Sequence, residues 1–213
     1  MKQIRLEPPE ELRMAIGEAM FTQRAIRKLR PDPIRDEHVE IILNAASKAP
    51  SAGNIQPARY LVIRDPARVR AFGELYHEAW WAKRRDSLGW KSRDDIPAGD
   101  GTALAAAQLA DEMGAAPLVI LVFSVLDAMD HSIFPGVQNL MLAARALGIG
   151  TTLTTLHPDV MERLYRLLEV PEQPSLYCCI PMGYPRGRFG PTPRQRTAET
   201  TYYDTWGAPP PWA

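Results

Sequence analysis

The chain has 213 residues, 46% apolar and 23% charged, and its 25 lysines and arginines are balanced by 25 aspartates and glutamates. That length supports one sizeable core but not two full domains, and the composition excludes a disordered chain. Zero formal net charge gives no global field for nucleic acid or an anionic membrane, so any anion site must be local.

No stretch is apolar over the ~18 residues of a membrane span, and the N-terminal MKQIRLEPPEELR has no apolar core of a secretory signal. A single domain over 1–213, located in the cytoplasm, is expected.

After Pro8-Pro9, the spacing of Leu12, Ile16 and Met20 predicts a first helix over Glu10 to Met20. A basic connector follows from Thr22 to Arg30 and ends at Pro31 and Pro33. Asp36 is predicted to cap a helix over Glu37 to Lys48. RYLVIR, from Arg59 to Arg64, reads as a strand bounded by Pro57 and Pro66. Val69 to Arg85 is helical, and the polar, glycine-rich Ser87 to Gly101 reads as a loop or lid.

An alanine-rich helix is predicted from Thr102 to Met113, and PLVILVFSV, from Pro117 to Val125, has the continuous apolar character of a strand buried on both faces. Ser132 to Leu147 is a core helix with Gly148 at its C′ position. GTTLTTL, from Gly150 to Leu156, reads as a strand, Pro158 to Leu168 as a helix, and Ser175 to Met182 as a last strand before a proline-rich tail. The order implies an α+β layer. A doubly wound dinucleotide fold is disfavoured, because GxGxxG and the P-loop pattern GxxxxGKS or GxxxxGKT are absent.

The two cysteines, Cys178 and Cys179, are adjacent, so in a strand they face opposite ways as small buried hydrophobes. His77, His131 and His157 have no ligand spacing, and no metal is expected. The richest segment is Ala49-Pro50-Ser51-Ala52-Gly53-Asn54-Ile55-Gln56-Pro57. Its two carboxamides supply donors and acceptors that suit the edge of a planar heterocycle, and its small residues admit close backbone approach.

Five motifs, in order, carry a resemblance to a known family: RAIRKL from Arg24, APSAGNIQPAR from Ala49, PGVQNLMLAARALGIGT from Pro135, MGYP from Met182 and YYDTWG from Tyr202. From about Gln23 to Trp206 the chain resembles the flavin-dependent nitroreductases. The resemblance implies a nitroreductase-like fold with a central, mostly antiparallel mixed sheet of four to five strands flanked by helices. A lid-like insertion lies at about 76–101, and a C-terminal arm at about 197–213 is exchanged in a homodimer. FMN is the implied cofactor and NAD(P)H the co-substrate. Hydride passes through flavin N5 to a nitroaromatic, quinone or similar small acceptor by ping-pong exchange, with no catalytic side chain.

By the same resemblance, Arg24 and Arg27, flanking Ala25, serve the phosphate and the N1/C2=O edge, with Arg194 and Arg196 as further phosphate partners. Pro50, Ser51 and Ala52 approach the ring, Asn54 binds its polar edge and Gln56 supports Asn54. Backbone N–H groups of Thr154, Thr155 and Leu156 lie beside N5 and O4. For Tyr76, Trp80 and Trp81 two readings stand: packing against the body or a partner, and stacking over a substrate. A reductive dehalogenase, a flavin-degrading enzyme and a flavin-storage protein are the competing functions.

Overall fold

The computed structural model describes residues 7–213, so the first six residues of the expected 1–213 domain lie outside the described residues. The first helix, α1, spans Ile16–Thr22 rather than starting at Glu10, because the residues after Pro8-Pro9 form a turn in which the Pro9 carbonyl accepts from the Leu12 N–H. Helix α2 spans Asp36–Ser47, and Arg35 rather than Asp36 occupies its N-cap position without a side-chain cap. Asp36 instead sits in the first turn, where a carboxylate complements the helix dipole, and pairs with Arg64.

Strand β1 spans Ala58–Ile63. The long helix α3, Pro66–Leu88, starts earlier than periodicity predicts: Asp65 accepts from the Arg68 N–H at 2.9 Å and Pro66 takes the first helical position. Helix α4 spans Gly101–Glu112, β2 Leu118–Ser124 and α5 Asp130–Ala146; Gly148, at φ 73°, follows α5 as expected. Strand β3 is only Gly150–Thr151; α6 spans Met161–Leu168, β4 Ser175–Gly183 and the short α7 Thr197–Thr200.

The four strands form one sheet in the order β1-β2-β4-β3, with every ladder antiparallel. The mixed character expected of it reduces to one isolated parallel bridge, Ala25 to Thr151. The predicted Gly150–Leu156 strand breaks after Thr151, because the Thr152 hydroxyl turns to the Ile26 carbonyl at 2.7 Å, and pairing with β4 resumes only at Thr154–Cys179.

Strand periodicity sorts the sheet into two apolar layers. Val119, Leu121, Phe123 and Cys179 face α3, α4 and α6, packing with Phe72, Trp80, Leu109 and Leu164. Leu118, Ile120, Val122, Cys178 and Ile180 face α2 and α5, packing with Ile42, Val137 and Leu140. The adjacent cysteines thus separate to opposite layers, as predicted. Burial raises the Cys178 thiol pKa to about 12 and pushes Cys179 higher still. Neither thiol is expected to react with a thiol reagent at pH 8 until the protein is denatured; rapid labelling of the native protein would contradict this burial.

Two glycines mark close approaches. A Cβ on Gly73 would lie 2.3 Å from the Gly114 backbone nitrogen, where α3 crosses the turn before β2. A Cβ on Gly150 would meet the Ile26 side chain at 2.6 Å, so the glycine of β3 is what lets the basic connector lie on the sheet edge.

The expected loop or lid is tied at both ends. Gly89, at φ 75°, ends α3, Asp95 accepts from the Lys91 and Ser92 N–H groups, and Ile96 is buried in the α3–α4 layer. Beyond α7 the tail is looped rather than extended: the Tyr203 N–H bonds the Ala208 carbonyl, Tyr203 meets Trp212 edge-on, and Trp206 is 91% exposed. Among the described residues no helix is long and apolar enough to cross a membrane.

Candidate cofactor site

The Pro50–Gln56 turn is built by its own polar groups. The Ser51 hydroxyl accepts from the Gln56 N–H at 2.9 Å, and the Ala52 N–H donates at 3.0 Å to Ser132 on α5. Gly53, Asn54 and Gln56 all have φ between 53° and 55°, a left-handed conformation that glycine and asparagine tolerate best. The Gln56 amide donates to Asn54 Oδ1 at 2.9 Å. That bond occupies the acceptor of Asn54 and leaves its NH2 as the outward, exposed donor.

The connector lies along β3. Ile26 N–H donates to the Thr151 carbonyl at 2.9 Å, and Thr192, leading into Arg194 and Arg196, bonds the Phe21 and Gln23 carbonyls. Arg24, Ala25 and Arg27 therefore share one region with Thr151–Thr155 and the Arg194–Arg196 segment. Their side chains differ from those of several paired arginines elsewhere in the chain. Arg30, Arg93 and Arg163 are paired with Asp32, Asp111 and Glu78. Among the described residues, the side chains of Arg24, Arg27 and Arg196 have no hydrogen-bond or carboxylate partner, and Arg194 donates only to its neighbouring Pro193 carbonyl. Cations grouped without counter-ions are what an anionic ligand requires.

The segment after β3 is held from two sides. Thr154 exchanges both backbone hydrogen bonds with Cys179 of β4, so its own N–H is spent on the sheet. From α3, Tyr76 OH meets Thr154 Oγ1 at 2.9 Å, Lys83 Nζ donates to the Thr155 carbonyl and hydroxyl, and Asp86 pairs with His157. The N–H groups of Thr155 and Leu156 have no acceptor among the described residues.

Tyr76 and Trp80 are 2% and 5% exposed and belong to the α3 layer, while half-buried Trp81 packs edge-on to Trp80 and donates to His77. Tyr76 and Trp80 are therefore packed into the body, while Trp81 keeps one side at the surface. Burial raises the Tyr76 hydroxyl pKa, and the bond to Thr154 opposes that rise. Lys83, Asp86 and Ser132 are contributors that sequence reasoning missed. Helical spacing places Tyr76, Lys83 and Asp86 on one side of α3, but nothing in the sequence says that side meets residues some seventy positions away.

The two parts of the candidate site are far apart within the chain. The Pro50–Gln56 turn enters β1 at the Ala58–Ser124–Ser175 row, whereas the connector lies beyond β3 at the Thr151–Met182 row. With strands ~4.8 Å apart and ~3.3 Å per residue, the two are separated by roughly 19 Å across the sheet and roughly 23 Å along it. Within one chain they occupy opposite corners.

The sequence model of the Nitroreductase family matches residues 21–184. The chain belongs to the nitroreductase family. Its helix-flanked, four-stranded antiparallel sheet is the nitroreductase fold. It is 29% identical to an NADH dehydrogenase of Thermus thermophilus over 83% of this chain and 89% of that protein. It is 25% identical to iodotyrosine deiodinase 1 of Rattus norvegicus over 90% of this chain and 71% of that protein. A crystal structure of a nitroreductase with bound FMN from Desulfitobacterium hafniense superposes with a TM-score of 0.66 at 18% identity, covering 92% of this chain and all of that one.

Proposed function

We propose that this chain is a cytoplasmic, single-domain FMN-dependent oxidoreductase that takes hydride from NAD(P)H and passes it to a small acceptor such as a nitroaromatic or a quinone, by ping-pong exchange in a homodimer. The observation that carries this reading is a set of arginines, Arg24, Arg27 and Arg196, that have no carboxylate partner among the described residues, in the same region as the Thr155 and Leu156 N–H groups, which have no acceptor among them.

FMN, when bound, supplies the hydride chemistry. The chain's residues bind and orient. Arg24, Arg27, Arg194 and Arg196 meet a phosphate and an electron-rich ring edge with planar cationic forks. Asn54 donates through its NH2, held in that orientation by Gln56, and Ala52 and Gly53 leave room for close approach. Because Thr154 N–H is engaged by Cys179, the donors toward the ring's N5 and O4 side are those of Thr155 and Leu156. Since turn and connector stand at opposite corners of one chain, a ligand that meets both lies between two copies. The aromatic tail of Tyr202, Tyr203, Trp206 and Trp212, each at least 43% exposed, supports such an assembly.

The visible spectrum of the purified protein and an FMN titration, followed by NAD(P)H oxidation with and without a nitroarene or quinone, test this reading. A yellow protein that oxidises NAD(P)H in the presence of acceptor is expected. A colourless protein that does not take up FMN would overturn it, and uptake without turnover would favour storage. The similarity to iodotyrosine deiodinase supports a second reading, reductive dehalogenation, read out by halide release from a halogenated phenol.

A further inference from the structure

We propose that Lys83 is a positioning residue for the flavin edge, fixing the Thr155–Leu156 peptide so that the N–H groups of Thr155 and Leu156 both turn outward as donors. This rests on the FMN reading above and adds a residue from α3 to it.

The inference follows from peptide planarity. No peptide bond among the described residues is cis, so each C=O points opposite to the following N–H. Thr154 C=O accepts from Cys179 N–H, which turns Thr155 N–H away from β4. Thr155 C=O accepts from Lys83 Nζ, which turns Leu156 N–H away from Lys83. The same ammonium also holds the Thr155 hydroxyl, so the side chain cannot rotate to satisfy its own backbone.

Tyr76 on Thr154 and Asp86 on His157 brace the segment on either side. No carboxylate pairs with Lys83 among the described residues, and burial, its largest influence, lowers its pKa. Its charge is therefore poorly screened where it sits. A cation held behind a peptide that donates to an electron-accepting ring polarises that peptide and favours the reduced, more negative state.

The test compares wild type, Lys83→Met and Lys83→Arg by three readouts: thermal stability, backbone amide order parameters of the apo-protein, and the two-electron midpoint potential of bound FMN. In Lys83→Met the order parameters of Thr155 and Leu156 are expected to fall from about 0.85 to below about 0.6. The reduction equilibrium is expected to shift about tenfold toward oxidised flavin, or about 30 mV for a two-electron couple. Lys83→Arg is expected to restore most of both. A lowered melting temperature with unchanged potential would overturn the proposal and leave Lys83 a stabilising contact. Wild type that binds no FMN would overturn the flavin reading itself. The apo order parameters then judge the grip alone, and unchanged values in Lys83→Met would overturn it.

Discussion

Replacing Arg24 and Arg27 together by alanine is expected to weaken FMN binding by about 10²- to 10⁴-fold, because each charge-assisted hydrogen bond to an anion contributes ~1.5–3 kcal/mol. Neither side chain has a hydrogen-bond or carboxylate partner among the described residues, so their removal leaves no carboxylate unpaired. Arg24 is exposed and Arg27 half-buried, and the melting temperature of the apo-protein is expected to move by less than that of a core variant. Quenching of FMN fluorescence on titration, beside apo-protein melting curves, separates the two effects. Removing Arg30 instead would strand Asp32, and affinity for FMN should stay near wild type.

Gly73→Ala is expected to be among the most destabilising single-methyl changes in the chain. The new Cβ would lie 2.3 Å from the Gly114 nitrogen and 2.4 Å from its Cα. Both obstacles are backbone atoms, so no rotamer change relieves the clash, and α3 must lift from the turn that leads into the fully buried β2. Overpacking against rigid backbone is expected at the upper end of the usual range, ~3 kcal/mol, which lowers the melting temperature by roughly 6–12 °C for a domain of this size. Gly17→Ala is the control: a Cβ there has nothing within 4 Å, and the exchange should leave the melting temperature unchanged or slightly raised. Equal melting temperatures for the two variants would contradict the close crossing of α3.

Local pattern and tertiary placement were legible to different degrees. The continuous apolar run of β2, the period of α5 and its closing Gly148 are local properties, and the structure follows them. The helix boundaries that moved did so through single side-chain choices: Asp65 and Pro66 start α3 three residues before its first periodic apolar position, and Asp36 pairs with Arg64 instead of capping α2. Threonine-rich β propensity overextended β3, because the Thr152 hydroxyl found the Ile26 carbonyl across the chain, a competition that propensity does not record.

In the candidate site, Arg24, Arg27, Asn54 and Thr154 were singled out through motif resemblance. What sequence did not carry was their distribution. The corner-to-corner separation of the Asn54 turn from the arginines depends on strand order, and the hold of α3 on Thr154–His157 depends on packing between distant segments. For Tyr76 and Trp80 the sequence leaves packing and stacking over a substrate both open, because composition alone does not tell a buried helix face from an exposed one.

The site proposed to lie between two copies is tested most directly by subunit mixing. One variant carries Arg24→Ala and Arg27→Ala. The other carries Asn54→Asp, which keeps the acceptor that Gln56 bonds but replaces the outward donor with a carboxylate. Each variant alone should fail to retain FMN. When the two are co-expressed, a mixed dimer combines both lesions in one site and leaves the other site wholly native. FMN binding should then return to about a quarter of the wild-type sites after random pairing. Recovery of that flavin stoichiometry, with NAD(P)H oxidation in proportion, is the predicted result; no recovery from confirmed mixed dimers would contradict a site shared between two chains.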